Sequence, residues 1–415
     1  MMADTGHFEA DVPIIARPQV AVVGGGIAGV CAAVSAARQG AEVLLVERYN
    51  VLGGNATAGG VGGFCGETSG QGEVFDEIIA GLDEVNAIAP YAPYEEREAR
   101  TFDHEWLKFV LQELVLAAGV RLLLHATLVA AETHDGRVER LIVGCKGRLA
   151  AVEPSIVIDA TGDADVANAA GFECFHPGEG AQLPMSQMTF VRDVGERADV
   201  PLPASLEPIA GEDDLPMTSV WEEPRGKAGI KIKVEGYDVT DPWSLTAAEV
   251  EARRRSVRVI DYLRRERMPE RVLDHSTHQI GVREGRRVVG DYVLTEDDLR
   301  SGRRFDDDIA VGRFYLDFHD PTNAGRTYAV ERTQVPPYGV PLRSLIPRGA
   351  ANTLVAGRCL SCDQVALSSV RVMTTCAMMG QAAGVAAAWA AGAGDLSGVD
   401  AAALREELQG RGAEL

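Results

Sequence analysis

Basic charge is scarce in this 415-residue chain: 40 lysines and arginines face 61 aspartates and glutamates, for a formal charge of −21. Such a surface repels phosphate backbones and anionic lipid, and no cluster of lysines and arginines offsets it. Neither nucleic acid nor a membrane is an expected partner. Only five of the basic residues are lysines, a bias toward arginine that is given no functional weight. Long hydrophobic runs are missing too. The longest apolar stretch, Ala382 to Ala393, is short and mostly alanine and glycine, which suits a packed helix and not a bilayer span. Met1 to Pro18 lack the basic start and apolar centre of an export signal, so a cytoplasmic location is expected. The seven cysteines are odd in number and scattered, as reduced thiols are. Cys359 and Cys362 have redox-motif spacing, but with no second pair or nearby histidine no metal site is expected. The cysteine sets of iron–sulfur centres are absent, as are internal repeats and low-complexity tracts.

What is present is an ordinary globular composition, 46% apolar and 24% charged, with a length that suggests two structural units. Gln19 to Val23 reads as a buried parallel strand, Gly24 to Gly29 as a tight turn, Val30 to Gln39 as a helix closed by Gly40, and Glu42 to Val46 as the next strand. This is one βαβ unit. Asp103 can cap an amphipathic helix with Trp106, Leu107, Val110, Leu111 and Leu114 on one face. Val120 to Leu124, Thr127 to Ala131, Val138 to Val143 and Ser155 to Asp159 read as strands, with a hairpin turn at His134-Asp-Gly-Arg137. From about Met185 the texture changes to proline-rich acidic loops, mixed strands and an arginine-studded helix over Ala247 to Arg267. After Pro341 it reverts, with a strand at Thr353 to Ala356 and a long helix of small residues from Ser369 to Ala391.

The spacing Gly24-x-Gly26-x-x-Gly29 lets the backbone turn sharply, approach a pyrophosphate and pack helix on strand, with the helix N-terminus facing the negative charge. It follows a strand and opens a helix, and 18 residues after Gly29 comes Glu47, at the end of the next strand, where a carboxylate can bind ribose hydroxyls. Glu47-Arg48 runs on through Leu52-Gly-Gly-Asn-Ala-Thr57, glycine-rich backbone that suits close approach to an extended FAD. Ile158-Asp-Ala-Thr-Gly-Asp163 and Asn352-Thr-Leu-Val-Ala-Gly-Arg358 are two further buried strands that run into turns. No second G-x-G-x-x-G follows a strand, so a built-in NAD(P)H domain is not expected.

These residues resemble the FAD-dependent oxidoreductases of the glutathione-reductase-like flavoprotein superfamily, in particular the group that shares its FAD domain with the heterodisulfide reductase flavin subunit. The matches are Val23-Gly-Gly-Gly-Ile-Ala-Gly29, Glu47-Arg48 with Leu52 to Thr57, Asp159-Ala-Thr-Gly-Asp-Ala-Asp165, and Arg283-Glu-Gly-Arg-Arg-Val-Val-Gly-Asp-Tyr292. Ala356-Gly-Arg-Cys-Leu-Ser361, Ser369-Val-Arg-Val-Met373 and Gly380-Gln-Ala-Ala-Gly384 complete the set. The resemblance implies an α/β fold: a discontinuous Rossmann-type FAD-binding domain over residues 18–185 and 336–395, and an inserted mixed α+β substrate domain over 186–335. A tail over 1–17 and a short C-terminal helix over 396–415 flank them. It implies that Gly24, Gly26, Ile27, Ala28, Gly29 and Glu47 hold the ADP part, and that Arg48, Gly53, Gly54, Asn55, Ala56 and Thr57 lie along the diphosphate and flavin. Leu128 and Val129 would present backbone to adenine, Ala160, Thr161, Gly162 and Asp163 would close over the pyrophosphate, and Gly357 and Arg358 would lead to the ribityl chain. The helix from Ser369 would point its positive end at the flavin.

Substrate contacts are expected from the inserted unit: Arg283, Arg286, Arg287, His275, His278, Asp317 and His319, with Arg371 from the flavin side. His319, Arg287 and Arg371 are the expected catalytic residues, an arginine to orient a carboxylate and the histidine to take a proton as hydride leaves for N5 of the flavin. Cys359 and Cys362 are read as structural thiols, and Cys65 as packing. The expected activity is oxidation or desaturation of a small polar, anionic metabolite, with oxygen, a quinone or a partner protein as electron acceptor. A flavin monooxygenase served by a separate reductase and a non-catalytic electron-carrying subunit stay open beside it, as does homo-oligomerisation.

Overall fold

The computed structural model describes residues 6–91, 99–178, 181–223, 227–321 and 330–415. In chain order the elements that build the site are β1 (Val20–Val23), α1 (Ile27–Arg38), β2 (Val43–Val46), β3 (Arg121–Leu123) and β4 (Ile156–Asp159). They continue with β5 (Met185–Asp193), β6 (Thr218–Glu223), β7 (Lys227–Val234), α2 (Pro242–Glu266) and β8 (Arg271–Ser276). Then come β9 (Leu316–His319), β10 (Thr353–Val355), α3 (Gln364–Val370) and α4 (Met373–Ala390).

The core is a five-stranded sheet in the order β10-β4-β1-β2-β3, with every pair parallel. The Val/Ile/Leu runs of β1, β2 and β4 are buried at every position, as a parallel sheet covered on both faces requires. On one face, α1 and α4 lie backbone to backbone. A Cβ on Gly380 would collide with the Ala28 carbonyl and one on Gly384 with that of Ala32, so these glycines answer to helix–helix contact. The other face carries an antiparallel sheet of Thr127–His134, Arg137–Cys145 and Arg148–Val152, whose Val138, Leu141 and Val143 pack on Ala21, Val23, Leu44 and Val46. Its hairpin turns at Asp135 and Gly136, both at positive φ (45° and 73°), the geometry that Asp-Gly favours. Ile14–Ala16, within the stretch read as a tail, pairs parallel to Arg148–Val152.

The inserted unit is a four-stranded antiparallel sheet in the order β6-β7-β5-β8. Ala228, Ile230 and Ile232 of β7 pack with Val259, Ile260 and Leu263 of α2 in one apolar cluster. Because side chains alternate along a strand, Gly229, Lys231 and Lys233 take the opposite face.

Three local expectations change. Helix α2 starts earlier than Ala247, because Asp241 accepts from Ser244 N at 2.7 Å and Pro242 fits the first turn. Asp103 caps its helix as expected, but the buried stripe is Leu107, Leu111 and Val115, and Trp106 stays 39% exposed. The helix expected over Ser369 to Ala391 is broken: α3 ends at Val370, and Val372 is extended (φ −65°, ψ 147°) before α4 begins. Tertiary bonds hold the break, with Ser369 Oγ donating to Phe314 O at 2.5 Å and Arg371 donating to Asp317. Among the described residues no helix is long and apolar enough to cross a membrane.

Candidate active site

The carboxyl ends of the parallel strands open into a cavity of about 460 Å³ that continues onto the four-stranded antiparallel sheet at Ser186, Met188 and Lys231, a size that suits a small-molecule site. Gly24 (φ +101°) and Gly29 build the turn between β1 and α1: a Cβ on the first would strike Ala160 O, and one on the second Gly24 O. Gly26 differs, because a Cβ there would meet nothing within 4 Å. That space belongs to the cavity, and the first turn of α1 beside it has no side-chain cap, so its N–H groups are available to an anion. Glu47 is 5% exposed, with Oε2 accepting from Gly25 N at 2.6 Å and Oε1 from Tyr49 N at 2.8 Å. Each carboxylate oxygen keeps acceptor capacity for a hydroxyl. These features fit the ADP half of FAD.

Most residues expected at the cofactor line this cavity: Gly24, Gly26, Ile27, Ala28, Glu47, Arg48, Gly53, Gly54, Asn55, Leu128, Ala160, Thr161, Gly162, Gly357, Arg358 and Arg371. Five do not reach its wall. Gly29 serves the turn, and Ala56 O contacts His104 Nδ1 at 2.7 Å. Thr57 Oγ1 donates to Leu52 O at 2.5 Å, while Val129 is 56% exposed. Asp163 is drawn away by Arg358, whose Nη2 donates to it at 2.9 Å while Nε donates to Gly162 O at 2.8 Å and Nη1 to Val282 O. Arg358 thus ties the turn after β4 to the inserted unit. The N-terminus of α4 also reaches the wall, through Val372, Met373 and Cys376.

At the far end the wall carries Lys231, Arg283, Asp317, His319 and Arg371. Arg371 Nη2 donates to Asp317 Oδ2 and O, both at 3.2 Å, and His319 Nε2 lies 3.0 Å from Asp317 Oδ2. Burial opposes the Asp317 charge, but the His319 hydrogen bond and the nearby charges of Arg371 and Arg283 outweigh it, so the carboxyl stays ionised far below its usual range. His319 Nδ1 contacts Lys233 Nζ. Burial first, and then Arg283, push the imidazole down to about 3, so it is neutral. With both ring nitrogens engaged inside the protein, His319 is set to orient Asp317 and is not the free proton acceptor expected.

Arg287 corrects the expectation more sharply. It is 4% exposed, pairs with Glu284 and donates to Cys362 O at 2.9 Å, away from the cavity. A buried arginine keeps the carboxylate that compensates it. Arg286 goes to Asp165 at 2.8 Å, His275 stacks on Phe190 with ring centroids 4.6 Å apart, and His278 is exposed. Of that segment, Arg283 alone reaches the wall, donating to Pro184 O and Ser186 Oγ at 2.7 Å each. Cys359 and Cys362 are buried free thiols. Burial holds both protonated, Cys362 up at about 12, which disfavours disulfide exchange. Cys65 lines the cavity, also protonated, with burial pushing it up to about 11.

Sequence reasoning missed Lys231 and Lys233. The signal was there: three of five lysines lie within Lys227-Ala-Gly-Ile-Lys-Ile-Lys-Val234, alternating with apolar residues, but alternation alone does not say whether a charged face meets solvent or a cavity. Lys233 is 1% exposed, and burial, followed by Arg283 and Lys231, pulls it down to about 5. The folded state therefore rejects a proton that the unfolded lysine keeps. Stability is lost as pH falls from the ordinary lysine range toward about 5. Lys233→Met removes that loss, so its Tm relative to the parent's should rise as pH falls from about 9 to about 6. Calorimetry giving parallel pH profiles contradicts this. At the other end of the cavity, Glu47→Ala should weaken FAD binding at least ~10-fold, the loss of one or two charge-assisted hydrogen bonds. Unchanged FAD retention on dialysis places Glu47 elsewhere.

Residues 19–408 match the family model of the FAD dependent oxidoreductases. The chain belongs to the FAD-dependent oxidoreductase family, and FAD is its cofactor. No curated protein matches it in sequence. Among solved structures it is similar to a geranylgeranyl bacteriochlorophyll reductase-like protein from Thermoplasma acidophilum, at TM-score 0.50 and 12% identity over 95% of this chain and 82% of that one. It is also similar to CabE, an aromatic hydroxylase from angucycline biosynthesis (TM-score 0.50, 16% identity, 94% of this chain and 65% of that one), and to BexE of BE-7585A biosynthesis (0.50, 16%, 95% and 66%). At such identities the likeness shows the Rossmann-type flavoprotein fold alone.

Proposed function

We propose that the protein oxidises or desaturates a small anionic metabolite. One observation carries this reading: Lys231 from β7, Arg283 from the loop after β8 and Arg371 from the end of α3 share the far wall of the cavity with one carboxylate, Asp317. In a chain of charge −21, cations gathered in a cavity serve best where an anion binds. Arg371 Nε is buried and has no partner among the described residues, a donor left open for a ligand. FAD, when bound, supplies a two-electron acceptor for the substrate's hydride. The chain's own part is to hold the carboxylate with arginine and lysine, to keep Asp317 ionised between them, and to exclude water with Met188, Trp221 and Phe314. Re-oxidation falls to oxygen, a quinone or a partner protein, since the sequence holds one nucleotide-binding turn, Gly24 to Gly29. The motifs Glu47-Arg48 and Leu52 to Thr57 further support kinship with the glutathione-reductase-like group that includes the heterodisulfide reductase flavin subunit.

Anaerobic mixing of the yellow protein with hydroxy acids, amino acids, amines and sugars tests this. Bleaching of the flavin by carboxylates is expected, and bleaching by neutral or cationic compounds alone overturns it. Oxygen incorporation into product with a separate reductase supports the monooxygenase alternative instead. Partner-dependent re-oxidation without turnover of any compound supports an electron carrier.

A further inference from the structure

The side chain of Lys233 starts from a fixed backbone: its N–H donates to Met217 O at 3.2 Å, and its carbonyl accepts from Arg255 Nη1 at 3.0 Å. From there Nζ reaches His319 Nδ1, His319 Nε2 reaches Asp317 Oδ2, and the same oxygen accepts from Arg371 Nη2. Four side chains from β7, β9 and the end of α3 form one hydrogen-bonded line that finishes at the cavity wall. The direction of each hydrogen follows from its ends. Asp317, ionised beside Arg371, can only accept, so His319 Nε2 carries a hydrogen. A neutral imidazole then presents a lone pair at Nδ1, which only a donor satisfies, and the group standing there is Lys233.

We propose that Lys233 is a positioning residue of the substrate pocket: its N–H satisfies Nδ1 of the His319 tautomer that Asp317 requires and, through His319 and Asp317, holds the Arg371 guanidinium at the cavity wall. The proposal rests on the anion-binding reading above only for its last link. Lysine suits the task in this setting. Lys231, Arg283 and Arg371 lie around it and Asp317 is the facing acid, so a donor that can shed its charge avoids adding another cation to a buried cluster. An arginine there would keep its charge, while a methionine would take the Lys233 donor away from the Nδ1 lone pair.

The test uses holoprotein labelled with ¹⁵N-histidine, in the parent, Lys233→Met and Lys233→Gln forms, with the His319 signal identified by its loss in His319→Asn. In the parent, His319 is expected to stay neutral with hydrogen on Nε2 between about pH 6 and 8, where an unperturbed imidazole titrates. In Lys233→Met the Nδ1 resonance should shift toward that of an imidazole nitrogen whose lone pair accepts no hydrogen bond, and Lys233→Gln, which keeps a neutral N–H donor, should move it back. Acetate is the probe for the last link, titrated against the flavin absorbance. Its Kd should rise roughly tenfold in Lys233→Met, the scale of one hydrogen bond lost, and return toward the parent value in Lys233→Gln. A parent His319 with hydrogen on Nδ1, or an Nδ1 resonance untouched by Lys233→Met, overturns the proposal. A changed Nδ1 resonance with unchanged acetate affinity overturns the link to Arg371. If no form, the parent included, binds acetate or any other carboxylate, the anion-binding reading fails while the histidine signals still decide the role of Lys233.

Discussion

Gly26→Val should give a folded, colourless protein. A Cβ at this position meets nothing within 4 Å among the described residues, and its backbone (φ −65°, ψ 178°) is one that valine adopts freely. The apoprotein should therefore keep its Tm and its circular dichroism. The isopropyl group would instead fill the space in front of the uncapped first turn of α1, where the pyrophosphate needs to sit against bare backbone. Overpacking of a rigid cradle together with lost N–H contacts should cost at least ~4 kcal/mol, or about a thousandfold in FAD affinity. Gly29→Val is the contrast, because its Cβ collides with Gly24 O and the damage falls on the turn itself. Flavin content and thermal melting of the two variants separate the effects. If Gly26→Val retains FAD at parental affinity, the cofactor does not run through this turn.

Arg371→Ala should leave FAD bound and its visible spectrum intact but raise the Kd of the anionic substrate by about 2–4 kcal/mol, from thirtyfold to a thousandfold. The argument is positional. The guanidinium lines the cavity, one of its nitrogens is fixed on Asp317, and Nε is buried without a partner among the described residues. Truncation removes a donor to the ligand and also exposes an anion, Asp317, that would repel a carboxylate. Arg287→Ala is the control: its charge is spent on Glu284, so it should lower Tm and leave substrate affinity per folded molecule alone. Should Arg287→Ala weaken substrate binding while Arg371→Ala does not, the far wall is not where the substrate sits.

The two variants draw on parts of the molecule that differ in how far the sequence reveals them. The cradle around Gly26 is local: glycine spacing, the strand before it, the helix after it and Glu47 lie within 29 residues, from Gln19 to Glu47, and backbone geometry forces that reading. The far wall is assembled from residues 231, 283, 317, 319 and 371. Arg283, Arg286 and Arg287 look alike in a row of letters. Only Arg283 reaches the cavity, because Asp165 and Glu284 claim the other two. Arg371 read as part of a continuous helix until its bonds to Asp317 and those of Ser369 to Phe314 fixed a break there.

By itself, then, the sequence determined the βαβ unit, the Asp-Gly hairpin, the cap at Asp103 and a dinucleotide turn, since each depends on backbone conformation and hydrophobic period over a few residues. The tertiary structure decided which charges face the ligand, that Lys231 turns to the cavity and Lys233 to His319 while Ile230 and Ile232 turn to α2, and that His319 is engaged on both sides. The physical reason is that a charged side chain goes where its desolvation is compensated, and the compensating partners named above lie up to 195 residues away in the chain.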